Sequence, residues 1–115
     1  MTTIDRDALV YHQFDAQSRE RIRALVTPEI IAEHAADPNG MHSDALQRVL
    51  AYFRRGLIAG KYIVVAAEPF SAYRIGMLNG DRGTPITVLD NVYPSEKDVL
   101  HAIFLRRLND IGALP

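Results

Sequence analysis

The chain has 115 residues, 48% of them hydrophobic and 23% charged, which is ordinary globular composition and room for one domain. Its 14 acids against 13 Lys and Arg give a formal charge of -1, so net charge draws it neither to nucleic acid nor to an anionic membrane. The absence of cysteine excludes a disulfide framework, a thiolate nucleophile, Cys-ligated zinc and iron–sulfur clusters.

A chain of this size buries roughly 65% of the surface its unfolded form exposes, enough for a core that burial on a partner would strengthen. Residues 1–20 hold Asp5, Arg6, Asp7 and Asp15 and show no apolar run behind a basic start, so no secretory signal is expected. No apolar run is long enough for a membrane span, and the chain reads as soluble and cytoplasmic.

Apolar residues recur at helical spacing up to about Arg55, come in short β-rich runs between Lys61 and Leu89, and turn helical again over the last twenty residues. Residues 7–14 are weakly patterned, and residues 1–17 fit either an extended arm or a frayed helix. Residues 18–26, with Ile22, Leu25 and Val26 among Arg19, Glu20, Arg21 and Arg23, make a better helix with a basic polar face. Thr27-Pro28-Glu29 opens the next: a Thr hydroxyl accepts from free amides, Pro tolerates the first helical position, and Glu suits the positive end of the dipole. Asp37-Pro38-Asn39-Gly40 ends it in a turn.

A further helix starts at Ser43 or Asp44 and runs to about Arg55, with Leu46, Val49, Leu50 and Phe53 on one face. Gly56 and Gly60 bracket a short connection. Residues 62–67 read as a strand apolar on both faces and so covered on both. Residues 73–78 follow through Glu68-Pro69-Phe70-Ser71 as the second arm of an antiparallel hairpin, residues 79–83 end it, and a short third strand is expected over 86–89. In the last helix Ser95 with Asp98 resembles a capping box, Leu100, Ile103, Phe104, Leu108 and Ile111 share a face, and Gly112 marks the end. The fold class is α+β: two or three N-terminal helices, a three-stranded antiparallel sheet and a C-terminal helix packed on it.

No HExxH, GxSxG, phosphate-cradling glycine loop or calcium loop is present, which counts against an autonomous enzyme. Of His12, His34, His42 and His101, only His34 and His42 are close enough in sequence to share a site. With Asp37 or Asp44 they have the donors for a divalent metal, though histidines loosely spaced about a turn are commonly surface or helix-end residues. His101 sits beside the apolar face of the last helix, as a boundary residue would. Ser18, Ser43 and Ser95 are placed as caps and Ser71 in the hairpin link, so none reads as a nucleophile.

Arginine clusters at Arg19, Arg21 and Arg23, at Arg54-Arg55 and at Arg106-Arg107. Helix dipoles and solvation account for such residues, but guanidinium forks also pair with carboxylates, and Arg with Tyr is frequent at protein interfaces. Tyr11, Tyr52, Tyr62, Tyr73 and Tyr93 suit core edges and interfaces alike. Tyr62 and Tyr73 on strands are also candidate base-stacking aromatics, but the neutral charge weighs against RNA.

Several blocks, in order, resemble the small (alpha) subunit of N,N-dimethylformamidase: Ile30-Ile31-Ala32-Glu33-His34-Ala35-Ala36-Asp37-Pro38, Leu46-Gln47-Arg48-Val49, Tyr52-Phe53-Arg54, Gly60-Lys61-Tyr62, Ala72-Tyr73-Arg74-Ile75, and His101-Ala102-Ile103-Phe104-Leu105-Arg106-Arg107. The resemblance spans roughly Arg19 to Asp110, and leaves residues 1–20 and 80–95 unmatched. It implies a small subunit pairing with a much larger one in an amidohydrolase that splits dimethylformamide into dimethylamine and formate. It further implies that the iron sits in the large subunit, with no iron ligand, cofactor or catalytic residue carried over to this chain. Its partner is then that large catalytic subunit, with neither nucleic acid nor membrane. Where the matching blocks and Arg clusters coincide, Arg54, Tyr73, Arg106 and Arg107 are the expected partner contacts, and the N-terminal segment is expected to order on the same partner. The alternatives are a stand-alone protein-binding module or homodimer, a small enzyme or metal protein, and an RNA binder.

Overall fold

A computed structural model of the protein describes residues 3–55, 61–80, 83 and 85–115, excepting the side chains of residues 3–12 and 14. The first helix, α1 (Thr3–Leu25), contains neither Gly nor Pro. Residues 7–14, for which extended and helical forms were both open, are therefore helical and continuous with the stretch that follows.

Helix α2 (Pro28–Ala36) begins where Thr27 Oγ1 accepts from the Ile30 amide at 3.3 Å. Helix α3 (Asp44–Arg54) begins where Ser43 Oγ accepts from the Leu46 amide at 3.4 Å. Glu33 fastens the two together, taking the Ser43 amide at 2.6 Å and its hydroxyl at 2.7 Å. The connection between Gly56 and Gly60 lies outside the described residues, as do Asp81, Arg82 and the side chains of Tyr11 and His12.

Three strands, β1 (Tyr62–Glu68), β2 (Ala72–Met77) and β3 (Thr87–Val88), form an antiparallel sheet in the order β1-β2-β3. The β1–β2 link is a tight turn in which the Ser71 amide donates to the Glu68 carbonyl at 3.2 Å. Pro69 fills the second position, and Phe70, at φ 67°, holds the third, where a type II turn needs a positive φ. Helix α4 (Glu96–Asp110) starts where Ser95 Oγ accepts from the Asp98 amide at 3.1 Å. It ends where Gly112, at φ 67°, lets the Ala113 amide return to the Leu108 carbonyl at 2.8 Å.

Two cores meet on α4. Phe104 and Leu108 pack with Ile22, Ile30, Leu46 and Val49 of the three preceding helices, while Val99 and Ile103 pack with Ile75 of the sheet. Because α4 serves two layers, it buries two adjacent stripes, and Val99 joins the single face read from the sequence. The expectation that β1 is covered on both faces is wrong. Tyr62 and Val64 face α4, but no β1 residue is fully buried and its last three are exposed, because among the described residues only α4 packs on the sheet. Among the described residues, no helix is long and apolar enough to cross a membrane.

Candidate functional site

The residues with most chemistry converge where the end of α2, the end of α3, β1 and α4 meet. His34, in the last turn of α2, is buried at 4% exposure and stacks on Phe104 with ring centroids 4.1 Å apart. Its Nδ1 lies 2.9 Å from His101 Nδ1, so one ring donates to the other and the two neutral imidazoles hold opposite tautomers. Burial, with repulsion from His101, His42 and Arg107, lowers His34 to about 4; His101 is likewise lowered, chiefly by burial. Both rings are then neutral at pH 7, and a second proton would set two donors against each other.

His34 is a helix-end residue, as read from the sequence, but its burial overturns the reading of it as a surface one. Its spatial partner is His101, 67 residues away, whereas His42 lies further off, with ring centroids 6.1 Å apart. His42 is engaged with the loop, its Nε2 donating to the Pro38 carbonyl at 3.3 Å. Among the described residues no group of three or more His, Asp or Glu side chains is arranged to hold a metal ion.

Beside the imidazoles opens a cleft of about 200 Å³ whose walls include Leu50, Tyr62, Ile63 and Phe104, with Arg54 and Arg107 among its lining residues. Arg107 donates to the Tyr62 carbonyl at 3.3 Å and lies over the Phe53 ring at 5.9 Å. Burial, and then Arg54, pull its pKa below the usual guanidinium value despite the opposing Tyr62 phenol. Tyr62 OH donates to Asp110 at 2.6 Å; burial and that carboxylate raise the phenol, against the pull of Arg106.

Of the expected contact residues, Arg54 and Arg107 thus line one cleft, and Arg106 stands at its margin through Tyr62. Tyr73 does not join them. It packs against Ile75, Val99 and Ile103, and its backbone exchanges hydrogen bonds of 2.9 and 2.8 Å with Tyr93. Tyr62 belongs to the same packed cluster, so both tyrosines weighed as stacking aromatics lie on the helix-covered side of the sheet. None of the first-helix arginines lines the cleft; Arg19 pairs with Asp15 at 2.5 Å, which also accepts from Tyr52 OH at 2.7 Å and so ties α1 to α3.

The opposite face of the sheet is a second surface. Ile63 and Val65 lie over Gly76, where an added Cβ would come 2.9 Å from Val65 Cγ2, 3.1 Å from Ile63 Cγ1 and 3.4 Å from Ile86 Cδ1. Val88, opposite Gly76 in register, extends the patch, and Ile86 and Val88 remain 39% and 36% exposed. Phe70 at the hairpin tip is 93% exposed. The sequence had marked none of these as surface residues, since nothing local tells which face of an apolar strand stays open.

A family described as N,N-dimethylformamidase alpha subunit matches residues 9–114, including the 80–95 stretch outside the blocks read from the sequence. The chain is 37% identical over 112 residues to the N,N-dimethylformamidase alpha subunit of Paracoccus aminophilus, covering 93% of this chain and 79% of that one. To the protein of the same description from Alcaligenes sp it is 37% identical over 114 residues, covering 95% of this chain and 86% of the other.

Proposed function

The chain belongs to the N,N-dimethylformamidase alpha-subunit family, and from that premise we propose that it is the accessory, non-catalytic small subunit of an iron amidohydrolase. The complex is heteromeric and cytoplasmic and splits dimethylformamide into dimethylamine and formate. Iron and the reacting groups reside on a larger catalytic subunit, and neither nucleic acid nor membrane is a partner.

The observation that carries this reading is the sheet covered on one side. Ile63, Val65, Ile86 and Val88 gather over Gly76 with no layer of the described chain upon them, and burying such a face yields roughly 25 cal/mol per Å². Arg54, Arg106 and Arg107 extend the contact toward the cleft, while Tyr73 keeps the hairpin seated on α4.

The test is to purify the tagged chain gently from its native host and weigh the assembly by native mass spectrometry. A much larger, iron-containing polypeptide in stoichiometric amount is the expected companion, and the paired change Arg106→Ala with Arg107→Ala should cut its yield. A folded monomer or homodimer, or undiminished complex in the double variant, would count against the reading.

A further inference from the structure

We infer that the cleft between α3, β1 and α4 is a carboxylate-binding site, and that its occupant is an Asp or Glu side chain of the partner subunit clasped by Arg54 and Arg107. The inference rests on the small-subunit reading above and adds the chemistry by which that partner is recognised.

Charge within the chain is the first argument. Arg19 pairs with Asp15, Arg48 with Asp44 at 3.0 Å and Arg74 with Asp90 at 3.5 Å. Arg54 and Arg107 have no ion-pair partner among the described residues, and the cleft they share has no acid in its lining. His34 is neutral at pH 7, so the cleft's positive charge is that of the guanidiniums.

Placement is the second. Arg107 is half-buried and oriented by the Tyr62 carbonyl and the Phe53 ring, and among the described residues it makes one hydrogen bond against the five donors of a guanidinium. Holding such a group ready lowers the ordering cost of forming a forked pair, and the apolar walls of Leu50, Ile103 and Phe104 strengthen attraction at the mouth. Burial first and Arg54 second depress the pKa of Arg107, and an incoming carboxylate would oppose both.

Continuity is the third. Ile63 lines the cleft and also belongs to the uncovered sheet face over Gly76, so a partner seated on that face extends directly to the cleft mouth. A side chain carried on a docked surface reaches the arginines at high effective concentration, which a free carboxylate in solution lacks.

The experiment uses the complex purified from cells carrying Arg54→Lys and a zero-length carbodiimide, which joins an amine to a touching carboxylate. Arg54 is exposed and its side chain makes no hydrogen bond among the described residues, so the change leaves the chain folded. Expected is an amide between the introduced amine and one Asp or Glu of the large subunit, found by peptide mass spectrometry. In parallel, Arg54→Gln should weaken association about tenfold at physiological salt with chain stability unchanged. Reaction at Lys61 and Lys97 but none at position 54, in an intact complex, would overturn the inference and leave the subunit reading standing. Protection of the chain against heat by sodium acetate and not by sodium chloride, again without a link at 54, would assign the cleft to a free carboxylate and overturn the partner commitment. Recovery of the chain with no larger companion would remove both readings.

Discussion

In the helical half, α4 lays Phe104 and Leu108 against Leu46 and Val49, all at 2% exposure or less. One turn earlier the same helix lays Val99 and Ile103 on a sheet whose other face is open, so Ile75 is buried while Val88, on the neighbouring strand opposite Gly76, is not. The difference is one of layers: α1, α2 and α3 share a core with their end of α4, whereas among the described residues the sheet's main helical contact is α4. Stability therefore resides in the helical half, and the sheet half carries surface that another chain can use.

The largest expected effect follows from that asymmetry. Phe104→Ala removes the ring that touches His34 and Phe53 and should cost about 3–5 kcal/mol in urea unfolding followed by circular dichroism. A cost under about 1 kcal/mol would show that the helical core is not the stronger half.

Acid should strike the same half. His34 titrates at about 4 when folded and near 6.5 when unfolded, so the unfolded chain takes up its proton first as pH falls. Its contribution is complete above pH 6.5 and declines toward pH 4, by about 3 kcal/mol at most. Urea midpoints across that range should fall with pH in the parent and fall less in His34→Leu; parallel curves would remove the histidine from the account.

In the sheet half, Gly76→Ala drives a methyl to 2.9 Å from Val65 and should cost about 1–3 kcal/mol, less than the Phe104 change. A melting temperature within a degree of the parent would mean that the open face yields freely.

The same contrast explains what could be read from the sequence. Thr27, Ser43 and Ser95 were legible as helix starts because a cap needs only a hydroxyl and an amide three residues on. The hairpin was legible because Pro69 and its neighbours form a local turn. Coverage of β1 was not, since Tyr62-Ile63-Val64-Val65 is apolar throughout and only the number of helices above it decides which face stays open. The site was half legible: Arg54, Arg106 and Arg107 stood out as clusters at helix ends, but the cleft itself depends on α3 and α4 ending beside the same strand. His34 with His101 carried no sequence signal at all, because a contact across 67 residues exists only once α2 lies on α4.

The smallest effect on folding should come with a clear effect on assembly. Phe70 occupies a positive φ that glycine adopts at no steric cost, and its ring, 93% exposed, contributes almost nothing to either core. Phe70→Gly should therefore leave the isolated chain unchanged or stabilise it by up to about 1 kcal/mol, because relief of strain offsets the added freedom of the unfolded chain. An exposed aromatic held in a strained turn at the rim of an open sheet face is the kind of side chain that anchors an interface. The same variant should accordingly lower recovery of the larger companion by several fold in a pull-down. Lower stability with unchanged recovery would show instead that Phe70 serves the hairpin alone, and would confine the partner surface to the strands and the cleft.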